Sequence, residues 1–104
     1  MRFVSASLRL AGYDVITVAG GEEALKLAES EKPDIMLLDI LMPVMDGFEV
    51  LRRLRAVTKL PVIAISAHSS AAEKALNLGA NGFLAKPFRP DELVKRIDSL
   101  LNHM

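Results

Sequence analysis

Three polar side chains stand at the carboxyl ends of short apolar runs, and together they could handle a phosphoryl group. They are Asp39, Ser66 and Lys86. A carboxylate can attack a phosphorus centre and form an acyl phosphate. An ammonium group and a hydroxyl can then hold the phosphoryl oxygens. Asp39, Ser66 and Lys86 are therefore the candidate site residues.

This chemistry requires that the three side chains meet, and the pattern of elements predicts that they do. Buried apolar runs that alternate with amphipathic segments predict a doubly wound α/β fold, a parallel sheet with helices on both faces. Sites in such sheets lie beyond the carboxyl ends of the strands, so the three side chains should share one edge. The predicted strands lie at 13–19, 34–39, 61–65 and 83–85, and the predicted helices lie at 3–11, 22–31, after Asp46, at 71–78 and from Pro90.

The composition limits the class of protein. The chain has 104 residues, of which 51% are hydrophobic, enough for the core of one domain. The absence of cysteine excludes disulfides and thiolate metal sites. Lys+Arg and Asp+Glu number 13 each, so no basic excess indicates binding to nucleic acid or to a membrane surface. With no apolar run long enough to span a membrane and no secretory signal, we expect a cytoplasmic protein.

Several short motifs follow one another along the chain: Leu37-Leu38-Asp39, Met42-Pro43, Asp46-Gly47, Ser66-Ala67 and Lys86-Pro87-Phe88. Together they resemble the receiver domain of two-component response regulators, the CheY-like family with a flavodoxin-like fold. The resemblance covers essentially the whole chain. It implies that Asp39 is the phosphoacceptor, that Ser66 is the switch hydroxyl, and that Lys86 is the family's invariant-type lysine. It also implies that Phe83 is the rotating aromatic switch and that the bond between Lys86 and Pro87 is often cis.

The chain departs from the family's pattern at the magnesium site. A typical receiver begins with a strand that ends in two acids, and these hold Mg²⁺; we find neither and expect residues 1–104 to be a receiver that is incomplete at its N-terminus. The remaining ligands would be the Asp39 carboxylate and the Leu41 backbone carbonyl. Asp14 and Asp34 start their strands on the wrong edge, and Asp46, with Glu49 three residues later, resembles a helix cap. Because Mg²⁺ usually needs one or two carboxylates, we expect weak or absent binding and impaired phosphorylation.

The first strand of the family lies between the strands found here at 13–19 and 34–39. Residues 2–6 could form it only through a parallel crossover of about seven residues, where a dozen or more are needed, so a helix is favoured there. Three outcomes remain open. The two strands may pair directly, a partner chain may fill the gap, or the fold may be loose. We favour association into a homodimer, because two apolar strand edges would otherwise be unpaired.

Three functions are open on the sequence. The first is a phosphoacceptor domain that takes a phosphoryl group from a sensor histidine kinase and signals by contact with a downstream protein. The second is a phosphorylation-independent interaction or dimerisation module, or a truncated fragment, with a receiver-like fold. The third is a phosphatase or nucleotide-binding enzyme, which is disfavoured because no glycine-rich phosphate loop follows a strand and Leu41 stands where a second acid is needed. We expect the first, with no enzymatic activity.

Overall fold

The computed structural model describes residues 5–10, 12–18, 21–40 and 47–102. A single 3-10 turn, Ser69–Ala71, precedes the third helix. Among the described helices, none combines the length and the apolar character needed to cross a membrane. The elements are β1 Ser5–Leu10, β2 Tyr13–Val18, α1 Gly21–Ser30, β3 Ile35–Asp39, α2 Gly47–Val57, β4 Val62–Ser66, α3 Ala72–Asn77, β5 Gly82–Ala85 and α4 Pro90–Asn102.

The strands form one sheet in the order β1-β2-β3-β4-β5. The pairs β2–β3, β3–β4 and β4–β5 are parallel, as the alternation of strands and helices predicts. All five residues of β4 and the first four of β3 are buried. This confirms the prediction that these apolar runs are central strands covered on both faces.

The predicted helix at 3–11 is wrong, because residues 5–10 form the edge strand β1. It pairs antiparallel with β2, with Ser5 opposite Val18 and Leu10 opposite Tyr13. An antiparallel pair needs only a two-residue connection, so the length required by a parallel crossover does not apply. Gly12 in this connection has φ +87, a conformation that glycine adopts readily.

The direct pairing of β2 with β3 is the first of the three outcomes considered for the N-terminal region. Val15 lies beside Ile35, and Val18 lies beside Leu38. The two strands therefore satisfy each other's backbone groups along this edge. The expectation of a homodimer rested on unpaired edges at this place, and it loses that basis.

Two layers of side chains enclose the sheet. On one face, α1, α2 and α3 pack over alternate strand residues, with Ala24, Leu51 and Ala75 among the buried helix positions. On the other face, Ile97 of α4 is fully buried against residues such as Leu37. Successive strand residues point to opposite faces, which is why Leu37 and Leu38 enter different layers.

The spacing of Ser70 and Glu73 predicts that they cap the helix at 71–78, and the structure differs there. Ser70 lies inside the 3-10 turn, whose N-cap residue is His68. The N-cap residue of α3 is Ala71, and no side-chain hydrogen bond caps either segment. The predicted capping box is wrong, because the extra turn moves Ser70 away from the capping position.

The run of arginines at 52, 53 and 55 predicts a solvated helix face. Arg55 of α2 departs from this prediction, because it is half-buried. Its guanidinium donates to the carbonyls of Gly79 at 2.8 Å, Thr58 at 3.0 Å and Leu60 at 2.5 Å. It also donates to Oδ1 of Asn81 at 3.0 Å, an atom that accepts from the backbone of β4 as well. Burial lowers the pKa of Arg55 from its ordinary value, yet an arginine stays charged. We call these contacts the Arg55 clamp; they join the ends of α2 and α3 to the beginnings of β4 and β5.

We predict that Gly79→Ala destabilises the fold more than Gly12→Ala. Both glycines have positive φ, but a Cβ at Gly79 would lie 2.5 Å from Cγ of Arg55, whereas a Cβ at Gly12 would meet nothing within 4 Å. Backbone strain alone should cost about 1 kcal/mol at Gly12, and strain with overpacking about 2–4 kcal/mol at Gly79. Chemical denaturation measures both free energies of unfolding; equal losses would show that the Arg55 side chain moves aside freely.

We also predict that Arg55→Met lowers the free energy of unfolding by about 3 kcal/mol, because three partly buried carbonyls lose a charged donor. Arg53→Met is the matched control on the same helix, since Arg53 is exposed. It should change stability by less than about 0.5 kcal/mol. Urea unfolding of the two variants checks this, and similar values would contradict a structural role for the clamp.

Candidate functional site

The carboxyl ends of β3, β4 and β5 bring the three predicted site residues to one edge of the sheet. Asp39 ends β3 beside Ile65, and Ser66 ends β4 beside Ala85. Lys86 follows β5 directly. Adjacent parallel strands thus place a carboxylate, a hydroxyl and an ammonium group from distant parts of the sequence in neighbouring positions.

Asp39 and Lys86 form an ion pair across this edge. The Nζ of Lys86 donates to Oδ2 of Asp39 at 2.8 Å. The side chains of Lys86 and Asp39 are 46% and 28% exposed, so the pair remains open to solvent and to a reactant. The backbone N–H of Lys86 donates to the carbonyl of Ser66 at 2.8 Å, which fixes the start of the lysine against β4.

The peptide bond between Lys86 and Pro87 is cis, as the resemblance implies. Pro87 is exposed, and the half-buried Phe88 packs against the face of the sheet that α4 covers. The Lys86-Pro87-Phe88 motif therefore runs from the open site edge towards the core.

Ser66 is buried, with 1% of its surface exposed. Its Oγ accepts a hydrogen bond of 3.0 Å from the backbone N–H of His68. This local bond is the turn interaction that a serine at a strand end commonly makes. Ser66 thus belongs to the site edge through its backbone, while its hydroxyl stabilises the turn that leads to α3.

Phe83 is half-buried and packs against the core on the face covered by α1, α2 and α3. It lies beside Ala64 in the sheet, and its carbonyl accepts a hydrogen bond of 3.0 Å from Arg96. These contacts are those of a core aromatic on an edge strand. A switching role for Phe83 remains a prediction.

The loop that follows Asp39 carries two predictions that lie outside the described residues: the Leu41 carbonyl as a metal ligand and Asp46 as a helix cap. Glu49, in the first turn of α2, accepts hydrogen bonds from the side chains of Arg52 and Arg53. These two guanidinium groups, Arg52 above all, lower the pKa of Glu49 to about 2. The Glu49 carboxylate is thus negative at all ordinary pH values and stays paired on α2.

The described residues at this edge offer Mg²⁺ few carboxylate ligands besides Asp39. Nowhere in the described parts of the chain do three or more His, Cys, Asp or Glu side chains converge on a point where a metal could bind. Asp34 accepts a 2.7 Å hydrogen bond from the backbone of Asp14, at the opposite edge of the sheet, as predicted. At the site edge, the oxygen of Asp39 already faces the ammonium of Lys86. Mg²⁺ is normally held by one or two carboxylates together with phosphate oxygens and waters.

The structural role of Arg55 has a signal in the sequence. Arg55 lies four residues after the buried Leu51, so the two share a helix face. That spacing indicates a side chain directed towards the protein. No comparable signal distinguishes the ion pair between Asp39 and Lys86, since the two residues are far apart in the sequence.

Comparisons with known proteins by sequence and by structure give the same family. Residues 1–98 match the family described as the response regulator receiver domain. The chain is 41% identical over 102 residues to a probable transcriptional regulator, ycf27, of Cyanophora paradoxa, covering 96% of this chain and 43% of that protein. It is 43% identical over 98 residues to the alkaline phosphatase synthesis transcriptional regulatory protein PhoP of Bacillus subtilis, covering 91% and 41%.

Among solved structures, the chemotaxis response regulator CheY4 of Vibrio cholerae superposes with a TM-score of 0.75 at 35% identity, covering 88% of this chain and 80% of that one. The chain spans about two fifths of the length of the two curated relatives. The sequence match, the parallel sheet and the site at its carboxyl edge agree, and the chain belongs to the response regulator receiver domain family of two-component signalling.

Proposed function

We propose that this chain is a phosphoacceptor domain that receives a phosphoryl group on Asp39 from a sensor histidine kinase and signals by contact with a downstream protein. Receivers of this family act in two-component phosphorelays with histidine kinases and effectors. One observation carries the assignment to Asp39. It is the carboxylate at the end of the central strand β3, partly exposed and 2.8 Å from the Lys86 ammonium.

The proposed transfer uses three side chains of this edge. An oxygen of Asp39 attacks the phosphorus of a phosphohistidine, the new P–O bond forms as the P–N bond breaks, and the imidazole leaves. The Lys86 ammonium balances the charge on the phosphoryl oxygens. Ser66, one strand away, is the hydroxyl that would turn from the His68 backbone towards the new group, and Phe83 would move with it.

Impaired phosphorylation and weak magnesium binding are part of this proposal. The ligands left for Mg²⁺ are Asp39 and the Leu41 carbonyl. The pairing of β2 with β3 leaves no strand between them that could deliver further acids. Phosphoryl transfer without a divalent cation loses a large electrostatic stabilisation of its transition state.

The same pairing favours a second candidate function, a phosphorylation-independent interaction module. In that case the receiver fold persists, and the chain works by binding a protein partner or a second copy of itself. In both cases, we expect no contact with nucleic acid by these residues, since acidic and basic side chains are equal in number. We expect a cytoplasmic location, where a histidine kinase can meet its receiver.

The proposal predicts that a small acyl phosphate adds one phosphoryl group to the intact chain. The Asp39 carboxylate would displace the carboxylate of the donor, which leaves with its oxygen. Intact-mass spectrometry after incubation with the donor and Mg²⁺ should show one adduct, at a low yield, and none in Asp39→Ala.

The control for this experiment is Asp34→Ala, an aspartate at the opposite edge of the sheet, which should leave the adduct unchanged. An adduct that survives in Asp39→Ala would reject Asp39 as the acceptor. No adduct on protein whose circular dichroism shows it to be folded would favour the interaction module.

A second prediction concerns the contribution of the ion pair between Asp39 and Lys86 to the free energy of unfolding. Because both side chains are partly exposed, Asp39→Ala and Lys86→Ala should each change the free energy of unfolding by less than about 1 kcal/mol. Their coupling in a double-mutant cycle should be about 0.5 kcal/mol. A loss of several kcal/mol in either single variant would mean that the pair serves the fold rather than the chemistry.

A further inference from the structure

We propose that the outer edge of β1 is an interface at which two copies of this chain pair antiparallel about a two-fold axis, which joins their sheets into one of ten strands, five from each copy. This interface lies at the end of the sheet, away from the junction of β2 with β3. It goes beyond phosphoryl transfer to Asp39 and does not depend on it, since the residues that form it belong to β1 alone.

β1 is the terminal strand of the described sheet, and its backbone offers hydrogen bonds to a further strand. It pairs with β2 on one side, along all six residues from Ser5 to Leu10. In an antiparallel pair, successive residues direct their N–H and C=O groups alternately towards the partner and away from it. Three of the six residues of β1 therefore direct both groups outward, where an added strand would accept and donate hydrogen bonds.

β1 lacks most of the features that protect a sheet edge from pairing. Such edges are usually short, or they carry a bulge, a proline or several charges. β1 has six residues in unbroken register with β2, so it contains no bulge. Its sequence from Ser5 to Leu10 contains no proline, and its single charged residue is Arg9. The edge is thus regular enough to serve as a template for another strand.

The other edge of the sheet, formed by β5, is protected, and this difference selects the partner. β5 has only four residues, and the carbonyl of Phe83 accepts a hydrogen bond of 3.0 Å from Arg96 of α4. Pro87, which has no N–H to donate, follows shortly after the strand. Pairing of β1 with β5 of a neighbour would also repeat from copy to copy, whereas pairing of β1 with β1 closes as a dimer. A second copy of β1 is therefore the occupant that this edge favours.

The sequence of β1 is compatible with its own antiparallel copy. Opposite residues in such a pair both direct their backbone groups to the partner or both away from it, so the two-fold axis passes at a residue and not between two residues. The two registers that pair the most residues place the axis at Ser7 or at Leu8. Arg9 then lies opposite Ser5 or Ser7 of the second copy, respectively. Each register thus sets the one charge of β1 against a neutral residue and avoids repulsion between like charges.

The experiment measures the mass of the intact chain by sedimentation equilibrium at rising protein concentration, up to about 1 mM, where even a small interface associates. The wild-type chain should pass from monomer to dimer and no further. Ser7→Lys should weaken the dimer about tenfold, because it opposes lysine to lysine in one register and lysine to Arg9 in the other. Ser99→Lys, the same substitution at an exposed position of α4, is the matched control and should behave as the wild type.

Ser7→Glu identifies the register of the dimer. It should strengthen the dimer if the axis lies at Leu8, because each glutamate then faces Arg9 of the other copy. It should weaken the dimer if the axis lies at Ser7, because the two glutamates then face each other. Either change supports pairing through β1. A dimer that Ser7→Glu leaves unchanged would place Ser7 outside the interface and reject the proposal.

A measurement on the wild-type chain tests the proposal without any variant that must fold. Amide hydrogen exchange should become slower with rising protein concentration at three alternate residues of β1, since their outward N–H groups become hydrogen-bonded, and should stay constant in β5.

Three results would overturn the proposal. The first is a chain that remains monomeric at about 1 mM. The second is a dimer in which the amides of β1 exchange as fast as in the monomer. The third is a dimer that Ser99→Lys disrupts and Ser7→Lys does not, which would place the interface on α4. None of these readouts involves a phosphoryl adduct on Asp39, so failure of the proposed function and failure of this inference are distinguishable.

Discussion

The position of β3 is the constraint on which the rest of the structure depends. This strand pairs with β2 on one side and with β4 on the other, and helices cover both of its faces. Such a strand can carry no ionisable residue along its length without burying a charge. Its single charged residue, Asp39, therefore stands at the end, where the edge of the sheet is open to solvent.

The positions of β4 and β5 follow from the central place of β3. Once β3 is central and parallel, β4 and β5 must end at the same edge, and they bring Ser66 and Lys86 with them. Three polar residues can thus meet although none of them is near another in the sequence. The ion pair is a product of strand order rather than of any local motif.

The sequence predicted the central elements well because their signal is strong. A short apolar run bounded by turn residues has few alternatives to a buried strand, so β2 to β5 and the three residues at the site edge were identified. The helix predicted at 3–11 is wrong because Val4, Leu8 and Ala11 recur with helical spacing, and because the short connection excludes a parallel strand but not an antiparallel one. Pairing with β2 decides this segment, and pairing is a tertiary property that no local pattern contains.

Two other sequence predictions, for Arg55 and for Ser70, also differ from the structure. Arg55 belongs to a run of arginines on an amphipathic helix, and its carbonyl partners lie in two separate loops. The predicted helix cap by Ser70 is wrong because a 3-10 turn precedes α3 and shifts the start of that helix. The contact between Lys86 and Asp39 required knowledge of how far a lysine side chain reaches across β4, which follows only from the folded backbone.

The Arg55 clamp lies at the amino edge of the sheet, and the ion pair lies at the carboxyl edge. The two edges of the sheet thus have different roles. The amino edge holds helices and loops in place, and the carboxyl edge carries the reactive groups. In evolutionary terms, such a division allows a lineage to vary or lose the residues of one edge while selection for folding acts on the other. A receiver built in this way can keep its shape through changes of its chemistry, and so can pass from a phosphorylated switch to a scaffold for protein contact in small steps.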